Sequence, residues 1–204
     1  MAANRTLEFF EAEFQKRVGA HDDAPSSFEE AALPYVTGRV LELACGLGNL
    51  SLAAARRGCE VVAVDASPTA IAHVSAVARE ENLPLTAVRA DLEQYELQGS
   101  FDTVVAIGIL MFFPRDVALS LLDRVQRAVR PGGCAAVTVL VEGTTFMRVF
   151  DPDRHYLFAR DELDRAFAGW NILVSRSGEA PAPDGTVRRF AMVIARKPGA
   201  AAGA

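Results

Sequence analysis

A glycine-rich turn is the feature of this chain whose residue types and spacing point most directly to chemistry. The run 42–49 (ELACGLGN) follows an apolar stretch and opens a predicted helix. Small residues in such a turn let the backbone approach a ligand closely. A lone G-x-G is weak evidence, but its place after the first predicted strand is where ligands bind in open α/β sheets. We therefore predict that Ala44, Gly46 and Gly48 contact a ligand.

Glu42 lies inside the otherwise apolar first strand. An unpaired charge there would be unfavourable, so the carboxylate needs a partner. The functional interpretation places it near the cationic end of a ligand. The structural alternative is a buried glutamate that accepts hydrogen bonds from backbone amides.

Asp65 ends the second predicted strand, nineteen residues after Gly46. That separation is close to the ~20 residues expected between a glycine turn and a ribose-binding acid. The alternative is a helix N-cap, but Ser67, followed by Pro68, fits that role better. We expect the Asp65 carboxylate to be free for ribose, with Ala66 beside it.

Two further strand ends lie at the same edge of the predicted sheet. Asp91, followed by Leu92, ends the third strand and could accept a hydrogen bond from an adenine amino group. A turn-stabilising aspartate is the competing interpretation. Ile107 ends the fourth strand, where its side chain could pack either on a flat base or in the core.

Two cofactor classes agree with a ribose-binding acid after a glycine turn. A nicotinamide or flavin dinucleotide favours G-x-G-x-x-G, in which the third glycine allows close packing of helix and strand. Ser51 stands at that third position. S-adenosylmethionine has no phosphate, and an acid inside the first strand suits its cationic groups better than it suits pyrophosphate.

Helices and strands alternate through most of the chain, and the strands are nearly continuous apolar runs. That pattern predicts an α/β fold, a Rossmann-like doubly wound parallel sheet with helices on both faces. The last two strands lack an intervening helix, so we predict an antiparallel hairpin at one edge. The predicted strands are 40–44, 60–65, 85–90, 101–107, 135–141, 170–175 and 189–195. The predicted helices are 6–18, 28–33, 49–57, 68–82, 115–129 and 161–167, with Thr6 and Asp161 as N-caps and Gly19 as a stop.

Composition excludes several classes of protein. The chain has 204 residues, of which 50% are hydrophobic, and a net charge of −5. We predict one domain, with a helical cap at 1–38, a core at 39–197 and a disordered tail at 198–204. No apolar run is long enough for a membrane span or a secretory signal, and the acidic balance argues against nucleic acid. Three cysteines without a CxxC pair favour free thiols in the cytoplasm and no metal site. The oligomeric state is left open.

Five ordered motifs resemble those of class I S-adenosylmethionine-dependent methyltransferases. They are 41–48 (LELACGLG), 64–67 (VDAS), 90–92 (ADL), 101–102 (FD) and 130–133 (RPGG). The resemblance implies a seven-stranded sheet in the order 3-2-1-4-5-7-6 with an antiparallel seventh strand. It also implies S-adenosylmethionine as the methyl donor.

The second half is similar to the tellurite-resistance methyltransferases. The similar segments are 110–113 (LMFF), 158–163 (FARDEL), 169–170 (GW) and 190–197 (FAMVIARK). This resemblance implies a tellurium or selenium oxyanion, or another small anion, as acceptor. The segment 178–185 departs from that family because it is short and lacks a histidine.

Two regions could form the acceptor pocket, namely 14–35 and the long segment 142–160. Long loops in compact domains are often lids, although the aromatic residues of 142–160 could simply cover the sheet edge. An anionic acceptor predicts at least one cation near the methyl group and needs no general base. The candidates for the acceptor pocket are Phe113, Arg115, Arg148, His155 and Arg188. The alternatives are a neutral organic hydroxyl, amine or thiol as acceptor, a non-catalytic cofactor-binding module, or an NAD-dependent oxidoreductase.

Overall fold

The computed structural model describes residues 5–18 and 24–199 and contains one seven-stranded sheet. Its strand order is β3-β2-β1-β4-β5-β7-β6, as the resemblance implied. Strands β1 to β5 are parallel to one another, whereas β7 is antiparallel to both β5 and β6. The strands are β1 (Arg39–Leu43), β2 (Glu60–Asp65), β3 (Leu85–Arg89), β4 (Phe101–Ile107), β5 (Val129–Leu140), β6 (Asn171–Pro181) and β7 (Val187–Arg196).

Six α-helices and three 3-10 turns accompany the sheet in the described ranges. The helices are α1 (Arg5–Arg17), α2 (Ser27–Ala32), α3 (Asn49–Arg56), α4 (Pro68–Glu80), α5 (Arg115–Ala128) and α6 (Glu162–Ala166). The 3-10 turns are Leu33–Tyr35, Leu110–Phe112 and Pro183–Gly185. No helix in the described part of the chain has the length and apolar character needed to cross a membrane.

Helices cover both faces of the sheet, which confirms the predicted layers. One hydrophobic cluster joins inward side chains such as Leu41 and Val104 to α5 and α6. A second cluster joins Val40, Val105 and Ile194 to α2, α3 and α4. Because β1 and β4 are buried on both faces, the carboxyl edge of the sheet is where their ends can meet a ligand.

Helix ends were predicted with mixed success. Ser67 caps α4, because its hydroxyl accepts a hydrogen bond from the Ala70 amide at 3.0 Å. Thr6 is not an N-cap: it lies inside α1 and donates its hydroxyl to the Val149 carbonyl at 3.1 Å. Asp161 precedes α6, but its carboxylate pairs with Arg165 at 3.1 Å instead of capping amides. Gly19 and the end of the tail, 200–204, lie outside the described residues.

The strands of the second half are longer than predicted. β5 begins at Val129, so Pro131 and the two glycines after it continue into the strand instead of only ending a helix. A Cβ atom at Gly133 would lie 2.6 Å from the Asp102 carbonyl oxygen, so the close approach of β4 requires glycine there. The β6–β7 hairpin also extends to Pro181 and Val187, beyond its apolar residues.

Candidate functional site

The turn between β1 and α3 has a left-handed backbone at three of five positions. Ala44, Gly46 and Gly48 have φ angles of 57°, 52° and 78°. A non-glycine residue in this region is uncommon, and such strain concentrates at functional sites. The Cys45 amide donates to the Val64 carbonyl at 3.0 Å, so the turn is attached to the end of β2.

The two glycines of the turn have different surroundings. A Cβ atom at Gly48 would lie 2.6 Å from a methyl carbon of Val74, so Gly48 allows α4 to pack closely on the turn. A Cβ atom at Gly46 would meet the ring of Phe14 at 3.2 Å. Of these two glycines, Gly46 is therefore the one at which a Cβ atom would point towards α1, and not into the packing between the turn and α4.

Asp65 lies at the end of β2 and is buried, with 8% of its surface exposed. Its carboxylate is not free, contrary to the sequence prediction. One oxygen accepts from the Gly46 amide and the other from the Ser67 amide, each at 2.8 Å. Burial raises the pKa of Asp65, and the hydrogen bonds from the amides of Ser67, Gly46 and Ala66 oppose that rise. The aspartate thus joins the glycine turn to the start of α4, and ribose binding remains a prediction.

Glu42 is 3% exposed and is hydrogen-bonded to Ser51 of α3. The Ser51 hydroxyl and amide both lower the pKa of Glu42, but burial dominates and raises it to about 8. The Glu42 carboxyl group is therefore buried and hydrogen-bonded, as the structural alternative expected. Its partners are the Ser51 amide and also the Ser51 hydroxyl, which that alternative did not include. The sequence pattern indicated only that Ser51 stands where a dinucleotide site has its third glycine. The hydrogen bond between Ser51 and Glu42 was not predicted. A role for Glu42 towards a ligand stays a prediction.

Asp91 is exposed and accepts a hydrogen bond from the Glu93 amide at 3.0 Å, which is the turn-stabilising arrangement. It also lines an open groove of about 560 Å³ together with Tyr95 and Gln94. Leu92 is buried in the core, with 5% exposure. Asp91 thus shares this groove with other polar side chains, namely Gln94, Tyr95, Glu96 and Gln98, while Leu92 belongs to the core.

The residues after β4 divide between core and site. Ile107 is half-buried against the α3 side of the sheet, so its role towards a base stays a prediction. Phe113, predicted to line the acceptor pocket, is instead packed in the core with α5. Its neighbour Phe112 faces the other way and contacts Phe10 and Phe150, with ring centroids 5.3 and 4.9 Å apart.

The four basic candidates for the acceptor pocket lie in two places. Arg148 and Arg188 flank one ring, with guanidinium carbons 5.4 and 5.5 Å from the Phe146 centroid. Arg148 also pairs with Asp184 at 3.7 Å. This juxtaposition puts two cations beside one aromatic side chain of the segment 142–160.

The other two candidates, Arg115 and His155, are close to the 3-10 turn after β4. Arg115, at the start of α5, lies 5.7 Å from the centroid of the Tyr156 ring. The Tyr156 amide donates to the Met111 carbonyl at 3.0 Å. His155 has its Nδ1 atom 3.0 Å from the Asp151 carbonyl oxygen, and its ring lies 5.4 Å from Phe150.

The segment 142–160 crosses the carboxyl edge of the sheet and is attached at several points. The Val187 amide donates to the Thr145 hydroxyl at 2.9 Å, and Arg154 pairs with Glu93 after β3. Phe150 and Phe158 are buried. The segment therefore covers the edge, as one of the two interpretations expected, and its movement as a lid remains a prediction.

Sequence analysis missed the contribution of α1. Glu11 accepts hydrogen bonds from the hydroxyls of Ser67 and Thr69, next to Asp65. Phe14, at the start of the region predicted for the acceptor pocket, lies against the glycine turn instead. The spacing of Leu7, Phe10 and Phe14 predicts one apolar face of a helix, but it does not predict which part of the domain that face contacts.

Comparison with known families identifies the central part of the chain. Residues 40–133 match a family profile described as a methyltransferase domain. This range includes the glycine turn, Asp65, Asp91 and β4.

Two curated relatives cover most of this chain. Hemagglutinin 1 of Eikenella corrodens is 29% identical over 85% of this chain and 59% of its own length. A probable S-adenosyl-L-methionine-dependent methyltransferase, TehB of Haemophilus influenzae, is 27% identical over 78% of this chain and 57% of its own. The chain thus spans less than two thirds of the length of either relative.

Solved structures share the fold. The crystal structure of Haemophilus influenzae TehB has a TM-score of 0.73 at 22% identity and covers 92% of this chain and 67% of that one. A Burkholderia thailandensis N-methyltransferase, bound to 1,6-didemethyltoxoflavin and S-adenosylhomocysteine, has a TM-score of 0.65 at 19% identity. The second likeness covers 97% of this chain and 92% of that structure. At these identities the likeness establishes the fold.

Proposed function

We propose that the protein transfers the methyl group of S-adenosylmethionine to a small-molecule acceptor, because residues 40–133 match a methyltransferase domain and the fold is shared with a solved methyltransferase. The observation that carries the proposal is the join between Gly46 and Asp65. It holds a left-handed glycine turn and a carboxylate together at the carboxyl edge of the sheet. That edge is where open α/β sheets bind nucleotides.

The charges and shape of the site suit this cofactor. Asp65 places a carboxylate at the start of α4, which favours a ligand with cationic groups. Glu42, inside the first strand, together with Ser51 in place of a third glycine, argues against a pyrophosphate seat. Asp65 would hold the ribose, Ala66 would lie beside it and Gly46 would contact the methionine part.

Asp91 would reach the adenine from the groove that it lines, and the next residue, Leu92, would contribute an apolar contact. Ile107 would contact the flat base from the β4 side. These assignments use one polar group and two apolar ones, which is the usual composition of a site for a planar ligand.

The cofactor, when bound, supplies an activated methyl group on a sulfonium. The part played by this chain is to orient the acceptor in line with that group and to exclude water. The aromatic side chains of Phe112 and Phe150 lie together beyond the end of β4, where they exclude water from the edge. An acceptor that is already anionic needs no general base from these residues.

For the acceptor, we propose a small anion, with a tellurium or selenium oxyanion as the first class to test. Arg148 and Arg188 support this choice because both guanidinium groups lie against Phe146 of the segment 142–160. Arg115 and His155 add positive or titratable groups near the 3-10 turn after β4. The resemblance of 110–113, 158–163 and 190–197 to the tellurite-resistance methyltransferases points in the same direction.

A neutral organic hydroxyl, amine or thiol is the second candidate. The aromatic pair of Phe112 and Phe150 favours it, since planar apolar molecules bind well against such rings. In that case the arginines beside Phe146 would be solvated surface residues with no contact to the acceptor.

An acceptor screen tests the proposal. The full chain is incubated with S-adenosylmethionine and tellurite, selenite, or a panel of phenols, amines and thiols, and release of S-adenosylhomocysteine is measured. Turnover with any acceptor supports methyl transfer, and the responding class decides between the two candidates. Calorimetry with S-adenosylmethionine, S-adenosylhomocysteine and NAD tests the remaining alternatives, a non-catalytic cofactor-binding module and an NAD-dependent oxidoreductase. Binding of NAD alone would indicate an oxidoreductase, and cofactor binding without turnover a binding module.

A further inference from the structure

Helix α1 lies across the surface that the proposed cofactor needs. Its side chains contact three elements that border the site: the glycine turn through Phe14, the start of α4 through Glu11, and the 3-10 turn after β4 through Phe10. Thr6 is the one fully buried residue of the helix, and its other contacts to the domain come from half-buried side chains. Elements with few fully buried side chains belong to the less stable part of a fold and open locally before the core does.

Phe14 occupies the open side of Gly46. Its ring carbons would lie 3.2 and 3.3 Å from a Cβ atom at that glycine, which is closer than ordinary van der Waals contact. A ligand atom needs about 3.5–4.0 Å from each carbon that it touches. Phe14 and a ligand therefore cannot both contact Gly46 on this side.

Glu11 holds the helix in this position. One of its carboxylate oxygens accepts from the Ser67 hydroxyl at 2.5 Å, and the other accepts from the Thr69 hydroxyl. These bonds lower the pKa of Glu11, so the carboxylate is ionised and the bonds are charge-assisted. The partners are 56 and 58 residues away, so the contact joins α1 to the core of the domain.

We propose that α1 is a self-occluding cover of the cofactor site, held closed by Glu11 on α4, so that Phe14 and the cofactor compete for Gly46. This inference rests on the proposed function, because it takes Gly46 as a cofactor contact. Cofactor enters only the fraction of molecules in which α1 is open, and its apparent affinity is reduced by that fraction.

The test measures binding of S-adenosylhomocysteine to the immobilised full chain by surface plasmon resonance. Glu11→Ala removes both charge-assisted bonds and leaves Asp65 and Gly46 unchanged. We expect its association rate constant to rise about tenfold and its Kd to fall by the same factor, which corresponds to about 1.4 kcal/mol. The dissociation rate constant stays the same. We expect Phe14→Ala, like Glu11→Ala, to raise the association rate constant and to lower the Kd.

Glu8→Ala is the matched control, since Glu8 is an exposed glutamate of the same helix. Thr69→Val removes one of the two donors, so it gives a smaller rise than Glu11→Ala and adds little to it in the double variant. Weaker binding by Glu11→Ala would overturn the proposal, because α1 would then be a roof that contacts the bound cofactor. Unchanged rate constants would overturn it as well.

Hydrogen exchange gives an independent measurement on the unmodified chain. We expect S-adenosylhomocysteine to increase amide exchange over residues 5–17, and protection of those amides would contradict the inference. Failure of the proposed function is distinguishable, because then neither S-adenosylmethionine nor S-adenosylhomocysteine binds the wild type or any of these variants. Failure of the cover alone leaves cofactor binding and turnover intact.

Discussion

The Gly46 amide donates a hydrogen bond to the Asp65 carboxylate at 2.8 Å, and this bond fixes the glycine turn after β1 to the end of β2. The second carboxylate oxygen accepts from Ser67 at the start of α4. Asp65 therefore has a structural task in addition to the proposed one, and its substitution affects stability as well as binding.

Asp65→Asn is expected to weaken binding of S-adenosylmethionine about tenfold or more, because a charge-assisted hydrogen bond contributes roughly 1.5–3 kcal/mol. It also lowers the free energy of unfolding, since one buried amide loses its acceptor. Calorimetry and urea unfolding measure the two effects separately. Asp91→Asn is the control for stability, because Asp91 is exposed. An unaltered Kd in folded Asp65→Asn would remove the ribose assignment.

Glu42 makes stability depend on pH. Its pKa is about 8 in the folded chain, against an ordinary value of 4.5. The folded state thus favours the protonated carboxyl, and its contribution is fully present below pH 4.5 and is lost as the pH rises towards 8. Glu42→Gln keeps an acceptor for Ser51 without the charge. We expect its free energy of unfolding to fall less than that of the wild type between pH 5 and pH 8.5, in urea unfolding at each pH. Equal falls would contradict the assignment.

Gly48→Ala is expected to destabilise the chain more than Gly58→Ala. Both positions have a left-handed backbone, with φ of 78° and 87°, which costs an alanine about 1–2 kcal/mol. Only Gly48 adds a clash, because its Cβ would lie 2.6 Å from Val74. That overpacking costs a further ~1–3 kcal/mol. Thermal unfolding of both variants measures the difference, and Val74→Ala is expected to restore part of it in the Gly48→Ala background. Equal destabilisation would show that α4 can move away.

The arginines beside Phe146 test the class of acceptor. If it is anionic, Arg188→Gln and Arg148→Gln raise its KM, and added salt weakens wild-type binding of the acceptor. The KM for S-adenosylmethionine should change little, because Asp65 and Gly46 are untouched. Arg176→Gln, an exposed arginine of β6, is the matched control. Steady-state kinetics with the acceptor found in the screen gives these values. An unchanged KM in both variants would favour the neutral organic acceptor.

The sequence by itself determined the architecture. The predicted bounds of β2 and β4 agree with the structure to the residue, and those of β1 and α3 are within one residue. These elements are short apolar runs or amphipathic stretches between glycines and prolines, so their signals are local. The motif resemblance added the strand order, including the antiparallel β7, which no local pattern states.

Only the tertiary structure decided which side chains meet at the site. The Asp65 carboxylate was predicted to lack protein partners, yet both of its oxygens accept hydrogen bonds from backbone amides. Ser51 was read as a missing glycine, yet it hydrogen-bonds Glu42. Phe112, and not Phe113, turns towards the edge. The bond of Thr6 to Val149 spans 143 residues. Periodicity reports which face of an element is apolar, but it carries no information about which distant element covers that face. That choice depends on packing and hydrogen-bond geometry, which exist only when the chain is folded.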